Sequence, residues 1–538
     1  MEKWLILITC FLLLPLLEVK ALSCNEEKEI PLCPASNSTI LDDTYPTQSF
    51  VISARGAFTD NDNTGVGEAP YEMSSDFVAT VLQSYGANKP QIIIPTEKAR
   101  FDLLILKVKE RLKLAHYSES QITEALAAII WVDNNSYTWQ QDYFESFISP
   151  QSGTPVVRPI SSLGTEAGKP SSDFMSKLQN KTLSGIKDYS ICPVEIGSPL
   201  KSFKDKSPLA TSAGEMGGNI EGLPGGLCFK GNNQAWEFVM QYCGSKENVV
   251  EIDNAWLGTG HIDEIMKVVP TFPKKNPSEC NFSLLAASPK KAFEVLKKES
   301  TKPFLDLSGL NSIQRKAKIE KFLKLGEGVH SISKSVGGIL CEMIVKIPVS
   351  PVTKPNSKIN AVNLWNILIV NAFAHEAVQN CSQRLEQVTN GEMVKAFEEN
   401  EAFMLLNNLI QEKMDKNKEI VLASLKQRLP NCTNINFVDV PDFFVGETFA
   451  EINGKKVLAE PGMAFSLFPN PTNSVVSNKT LIVPESPNAA FNQEYKEVIS
   501  KQGMKTHLID TWNYAHRGGG NIHCVSHSIP YCRPQDSK

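Results

Sequence analysis

Beyond its first residues, the 538-residue chain has no apolar run of the ~20 residues that a membrane-spanning helix needs. It also lacks a strong excess of either charge. The formal net charge is -5, so a polyanion-binding surface is not indicated and nucleic acid is not an expected partner. No stretch is rich enough in proline, glycine or serine to mark a clear interdomain linker. Several signatures begin and are not completed. The glycine-rich run at 217–226 has no Gly-Lys-Ser/Thr ending, so it resembles a phosphate loop only in glycine content. His375-Glu376 has Gln379 where a zinc-protease helix needs its second histidine. Asp60-Asn61-Asp62-Asn63-Thr64-Gly65 opens like a calcium loop, but Tyr71 stands where the closing glutamate belongs.

The one apolar run is at 5–17, preceded by Lys3 and followed by Ala21-Leu22-Ser23. It is short for a membrane anchor and reads as a signal peptide over 1–23, with the mature chain starting near Cys24. That implies a secreted or extracytoplasmic protein with no transmembrane segment in the mature chain. Lipid attachment at Cys24 is a lesser alternative. Twelve cysteines become eleven once Cys10 leaves with the signal. In an oxidising compartment an odd count leaves one thiol over from five pairs, or a partner outside the chain.

Short β-branched runs recur at 92–94, 129–132, 156–157, 249–252, 437–440, 481–483 and 507–509. Helical patterns lie between several of them, at 76–84, 100–113 and 489–501. Such alternation predicts an α/β fold. From 308 to 427 the chain is mostly helix-forming, at 313–325, 361–380 and 393–418, interrupted by a β-like, proline-containing segment at 344–352. It reads as a helical insertion in a domain spanning 47–538, after an extension at 24–46.

Four stretches could carry chemistry. WLGTGHIDE (256–264) sets His261 and Asp263 two residues apart, which in an extended segment is one face. HRGGGNIHC (516–524) puts Cys524 after three glycines and beside His523. A thiol near an imidazole is a candidate nucleophile. From the residues alone, Cys524 is as readily one half of a disulfide, and His523, Cys524, His527 and Cys532 offer zinc donors at no common zinc spacing. WQQDYFE (139–145) places Asp142 and Glu145 among aromatics after an apolar strand, and GGNIEGLPGG (217–226) is the fourth.

Taken in order, these stretches resemble the catalytic domain of the protein-arginine deiminases. WLGTGHIDEIMKVVP is followed by FSLLAASP, and INFVDVPDFF and LFPNPTNSVV are weaker matches. The resemblance covers roughly 47–307 and 431–527. It implies the five-bladed β/α propeller of the guanidino-group-modifying (pentein) superfamily. It implies Cys524 as nucleophile, His261 as general acid/base, and Asp142 and Asp263 as the carboxylates that bind the substrate guanidinium. It also implies a calcium site at Gln141, Glu145 and Glu221 with the backbone carbonyls of Gly217 and Ile220. Tyr143 replaces an acidic ligand of a second calcium, so one site is expected. The arginine that holds the substrate backbone in animal enzymes has no clear counterpart after Val157.

The implied chemistry is hydrolysis of a C–N bond. A guanidinium stays charged at neutral pH and is a poor electrophile. Two carboxylates can hold its planar fork against a sulfur. The expected function is a secreted, calcium-assisted deiminase of arginine in proteins or peptides, giving citrulline and ammonia through a covalent thiouronium adduct. Free arginine, agmatine or methylated arginine are alternative substrates. A catalytically silent calcium-binding protein, with Cys524 oxidised or the cleft blocked by the insertion, is the alternative from another class.

Overall fold

The computed structural model describes residues 40–54, 69–86, 89–133, 140–142, 144–149, 155–160, 195–196, 198–201, 215–272, 280–323, 381, 384–432, 434–446, 449–452, 455–458, 462, 464–512, 514–516 and 520–532. The expectations for 1–23, Cys24, Cys33, Cys192 and Cys341, for 60–65, Tyr143, 344–352 and 361–380, and for the His375-Glu376 motif lie outside these residues. Among the described residues no helix is long and apolar enough to cross a membrane.

The chain is α/β, and most of its strands fall into five small sheets built on one plan. In the first, β1 (Thr47–Ile52) pairs antiparallel with β20 (Ser526–Pro530) and parallel with β2 (Gln91–Thr96), which pairs parallel with β3 (Ile129–Asp133). In the second, β4 (Phe144–Ile148) and β5 (Pro155–Pro159) are antiparallel, and β5 runs parallel with β6 (Glu195–Ile196). The third joins β7 (Gly222–Leu223), β8 (Leu227–Gly231) and β9 (Val249–Ile252) in the same way. The fourth does so with β10 (Met266–Pro270), β11 (Phe282–Ser288) and β12 (Asn436–Pro441). The fifth uses β17 (Val475–Ser477), β18 (Thr480–Pro484) and β19 (Lys505–Ile509). Two minor ribbons pair β13 (Phe444–Val445) with β16 (Phe465–Ser466), and β14 (Phe449–Ile452) with β15 (Lys455–Leu458).

A parallel pair needs a crossover, and helices supply it. Between β1 and β2 runs α1 (Ala69–Tyr85); between β2 and β3 run α2 (Lys98–Leu114) and α3 (Glu119–Leu126). In the third sheet α4 (Trp236–Cys243) joins β8 to β9. The fourth crossover is the long one: α5 (Pro289–Lys298), α6 (Ser312–Leu323), α7 (Asn390–Glu398) and α8 (Glu401–Arg428). In the fifth, α9 (Ala489–Ser500) joins β18 to β19. All seven β-branched runs lie within strands, 76–84 and 100–113 lie within helices, and 489–501 overlaps a helix that ends at Ser500.

The helix expected over 393–418 is two helices. Asn400 lies between α7 and α8, and its side chain accepts from the backbone N–H of Phe403 at 3.0 Å. Asparagine at a first position satisfies an otherwise orphaned N–H, an effect of ~1 kcal/mol, so the chain restarts instead of continuing. Helix α8 then buries Leu406, Ile410, Met414, Val421 and Leu425, one stripe at helical spacing. The stripe packs with Trp256, Phe444 and Ala464. Each fully buried side chain of this kind contributes ~1.5–3 kcal/mol. Asn407 on the same helix donates to the carbonyl of Phe444 at 3.0 Å and accepts from its N–H at 2.9 Å, serving as a substitute strand edge. In β11 all seven residues are buried, so its sequence FSLLAAS does not alternate.

Disulfides join Cys228 to Cys243 and Cys280 to Cys432. The first ties β8 to the end of its crossover helix, and the second ties the lead into β11 to the end of α8.

Candidate active site

The strand that pairs only antiparallel in each sheet unit (β4, β7, β10, β17 and β20) is preceded by a tight turn, and these five turns meet. The lead-in to β4 is a single 3-10 turn, Gln140–Asp142. Before β7 comes Gly217–Asn219, and before β10 comes Ile262–Glu264 with His261 at its cap. Residues 470–474 precede β17, and residues 520–525 precede β20.

Contacts run round all five. A Cβ added to Gly217 would stand 1.8 Å from the carbonyl oxygen of Gln141 and 2.5 Å from Glu145 Oε1. One added to Gly218 would stand 2.5 Å from His261 Nδ1. Only glycine permits approaches this close. Asn473 Nδ2 donates to Asp263 Oδ2 at 2.9 Å and to Cys524 Sγ at 3.0 Å. The backbone N–H of Gln141 donates to the carbonyl of Cys524 at 3.2 Å. The circuit closes on the turn where it began.

All four residues expected to carry the chemistry face this junction. Cys524, His261, Asp142 and Asp263 are 5%, 6%, 7% and 0% exposed, so a substrate group must be slender and desolvated to reach them. Donor atoms of His261, Asp263 and Cys524 lie within 4.8 Å of one another. Asp142 Oδ1, Asp263 Oδ1 and His261 Nε2 are buried without a hydrogen-bond partner. Unpaired buried groups of this kind are costly in isolation, and a cationic ligand with several N–H donors would satisfy the two carboxylates. Cys524 is a free thiol. The disulfide reading of Cys524 is therefore overturned, and with it one of the two routes to the silent alternative, the oxidised thiol.

The charges divide by environment. Burial pushes Asp142 up to about 6, His261 draws it down, and Asp263 raises it again. Burial also raises Asp263, but the hydrogen bond and charge of His523, helped by His261 and Lys267, outweigh it and hold this carboxyl below the usual range. Burial raises the Cys524 thiol well above its ordinary value, reinforced by Asp263, Glu264 and Asp142. The thiol faces Asp263 Oδ2 at 3.7 Å.

The expected calcium ligands form the adjoining wall. Gln141 Nε2 donates to Glu145 Oε1 at 2.8 Å, and Gln141 Oε1 lies 2.9 Å from His527 Nδ1. Glu145 is raised well above the carboxylate range by burial and then by Glu221. Glu221 is raised to about 7 by burial, with Lys267 pulling the other way. Its Oε1 has no hydrogen-bond partner and stands 3.7 Å from His523 Nε2. Gly217 accepts the N–H of Ile220 at 2.7 Å. Glu221, Asp263 and His523 form a second group with donor atoms within 4.8 Å of one another.

The zinc grouping does not form. Cys532 is disulfide-bonded and buried with Leu41 and Ile148. The second ring nitrogen of His527 lies 2.7 Å from Ser146 Oγ. His523 instead belongs to the junction, with Nδ1 2.7 Å from Asp263 Oδ2. Sequence reading missed His523 as a partner of Asp263, and missed Asn473 altogether. The only sign of Asn473 was the PNPTN turn, which carried no chemistry by itself.

A buried thiol, an imidazole and two carboxylates that each keep an unpartnered oxygen thus share one junction. The sequence model of the protein-arginine deiminase family matches residues 233–333 and 366–532, which include His261, Asp263, Asn473 and Cys524. Through these residues the chain belongs to the protein-arginine deiminase family. A comparison with curated proteins finds no match. Among solved structures, agmatine deiminase from C. jejuni is similar with a TM-score of 0.43 at 10% identity, over 92% of this chain and 97% of the other. Agmatine deiminase of Enterococcus faecalis gives 0.41 at 10%, over 93% and 99%. A structure from Porphyromonas gingivalis, provisionally assigned as an arginine deiminase, gives 0.43 at 12%, over 92% and 100%.

Proposed function

We propose that the protein is a secreted, calcium-assisted protein-arginine deiminase, a hydrolase that converts the guanidinium of arginine in proteins or peptides to citrulline and ammonia. The observation that carries this reading is the free Cys524 held in one junction with His261, Asp142 and Asp263. Five like sheet units whose lead-in turns touch in a closed circuit support a five-bladed propeller with the site at its centre.

Asp142 and Asp263 hold the guanidinium, and its charge offsets the field that keeps the thiol protonated. The thiol's proton passes to His261, the thiolate attacks the guanidinium carbon and a C–S bond forms. The tetrahedral adduct expels ammonia, with His261 delivering the proton. His261 then takes a proton from water as the water's oxygen adds to the same carbon. Collapse breaks the C–S bond and releases citrulline.

Calcium fits the residues present. Glu145 and Glu221 are hard oxygen donors, each raised by burial, and Glu221 keeps an unpartnered oxygen. Gln141, Gly217 and Ile220 complete the proposed set. The ion would supply countercharge to this wall, behind Asp142 on the same turn as Gln141.

A second substrate reading, free arginine, agmatine or methylated arginine, has one observation behind it. Arg158, the residue after Val157, donates to the carbonyls of Ser198 at 2.9 Å and Gln241 at 3.1 Å. It is committed to the scaffold. Citrulline formation from an amino- and carboxyl-blocked arginine peptide, with calcium and with chelator, tests the main reading. Turnover of the blocked peptide that chelator abolishes is expected. Turnover of free arginine or agmatine alone would replace it with the second.

A further inference from the structure

Asn473 makes four hydrogen bonds through its side-chain amide, and each goes to another turn. Nδ2 donates to Asp263 Oδ2 at 2.9 Å and Cys524 Sγ at 3.0 Å. Oδ1 accepts from the backbone N–H of His523 at 2.9 Å and of Cys524 at 3.3 Å. An asparagine that merely shapes a loop bonds to its own backbone a residue or two away. In this turn the oxygen of Asn470 does that, accepting from Thr472 N at 3.0 Å and Thr472 Oγ1 at 2.7 Å, while its Nδ2 donates to the carbonyl of Glu264.

The orientation of the Asn473 amide is set by its partners. Its oxygen faces two N–H donors and its nitrogen faces a carboxylate and a sulfur. A flipped amide would set oxygen against the Asp263 carboxylate and N–H against N–H. Asn473 is fully buried, so no water relieves either mismatch.

We infer that Asn473 is a positioning residue of the site, fixing the sulfur of Cys524 and the carboxylate of Asp263 in one frame and stabilising the ionised sulfur. The inference rests on the reading of Cys524 as nucleophile. Its physical content is the direction of the hydrogen bond. An N–H donor stabilises a thiolate more than a thiol. Asp263 Oδ2 lies 3.7 Å from the sulfur, next to the same amide nitrogen, and favours the thiol. Asn473 thus opposes the surrounding carboxylates at the sulfur itself, and by engaging Asp263 with its other hydrogen it keeps that carboxylate aimed.

The test measures the sulfur directly. The rate of iodoacetamide labelling of Cys524 is followed between about pH 6 and 10, where thiols ionise, in wild type, Asn473→Ala and Asn473→Asp. Both variants should move the labelling midpoint up by about one unit or more, a roughly tenfold slower reaction at neutral pH. The aspartate variant should move it further, since it keeps the shape and replaces the donor with an acceptor. In both, kcat should fall more than KM rises. Thermal unfolding checks that each variant is folded. If Asn473→Ala does not fold, the isosteric aspartate variant decides alone. Folded variants with an unshifted midpoint overturn this inference and leave the nucleophile standing. A wild-type Cys524 that labels only after denaturation overturns the nucleophile assignment and this inference with it.

Discussion

His523 Nδ1 and Asp263 Oδ2 stand 2.7 Å apart, and both are buried. The imidazole next to the proposed nucleophile serves the carboxylate of another turn, not the sulfur. That hydrogen bond is the leading reason Asp263 stays below the usual carboxylate range despite its burial. Replacing His523 with asparagine should therefore let the Asp263 carboxyl rise. A carboxylate that must be ionised to bind a cation then fails at higher pH, so the acid limb of the kcat/KM profile should move to higher pH. The loss at neutral pH should be about tenfold, the scale of one charge-assisted hydrogen bond. A pH–rate profile with an unmoved acid limb would show that His523 does not hold Asp263 down.

The two carboxylates proposed to hold the guanidinium should be individually indispensable. Asp142→Asn or Asp263→Asn leaves a buried positive charge half-paired, at a cost of roughly 3–5 kcal/mol. Each should lose at least a hundredfold in kcat/KM for citrulline formation, and Cys524→Ser should give no citrulline. Near-normal turnover in either carboxylate variant would remove that residue from the binding role.

Gly218 is predicted to matter for chemistry more than for folding. A Cβ there would stand 2.5 Å from His261 Nδ1 and 3.1 Å from Asp263 Oδ1. Gly218→Ala should push the imidazole off its position and lower kcat by about tenfold or more, since a misplacement near 1 Å can cost up to a hundredfold. The thermal midpoint should fall by only a few degrees, on the order expected of ~1 kcal/mol. Wild-type kcat in this variant would place His261 outside the reacting geometry.

Stability should depend on pH with a sign opposite to that of ordinary salt-bridged carboxylates. Burial raises Glu221 to about 7, and raises Glu145 well above the carboxylate range. The folded state therefore keeps protons that the unfolded chain has released above about pH 4, and stability falls as pH rises through the folded values. Burial lowers His516 to about 4 and His527 to about 3. Those groups act in the opposite direction, but their effect is complete by the ordinary histidine value near ~6.5. In chelator, the thermal midpoint should drop by about 2–4 °C between roughly pH 6.5 and 8. Calcium held by the ionised glutamates, as proposed, should flatten that drop. Equal slopes with and without calcium would dissociate the ion from Glu145 and Glu221.

Much of the architecture was legible because local patterns decided it. The runs at 92–94, 249–252 and 481–483 are apolar and β-branched, and each became a buried or half-buried strand. The join at Asn400 was misread, because a capping asparagine between two apolar stripes differs from a helical one only in what its side chain bonds. The site was half legible. His261 and Asp263 share a short segment, so their proximity follows from chain geometry. Asn473 and Cys524 are 51 residues apart, and no local pattern predicts that an amide from one turn reaches the sulfur of another.

The sequence by itself determined the residue chemistry: a cysteine, an imidazole and carboxylates of the right kinds in the order of a known family, on alternating strands and helices. Tertiary structure decided what those groups are to one another. It left Cys524 a free thiol, drew Cys532 away from the junction into a disulfide, and turned His523 from a metal candidate into the partner of Asp263. It also placed Asn473 where no motif pointed. The physical reason is that strand and helix formation depend on neighbours a few residues apart. Thiol pairing, carboxyl ionisation and amide orientation depend on groups brought together from all five turns, inside a space that excludes water.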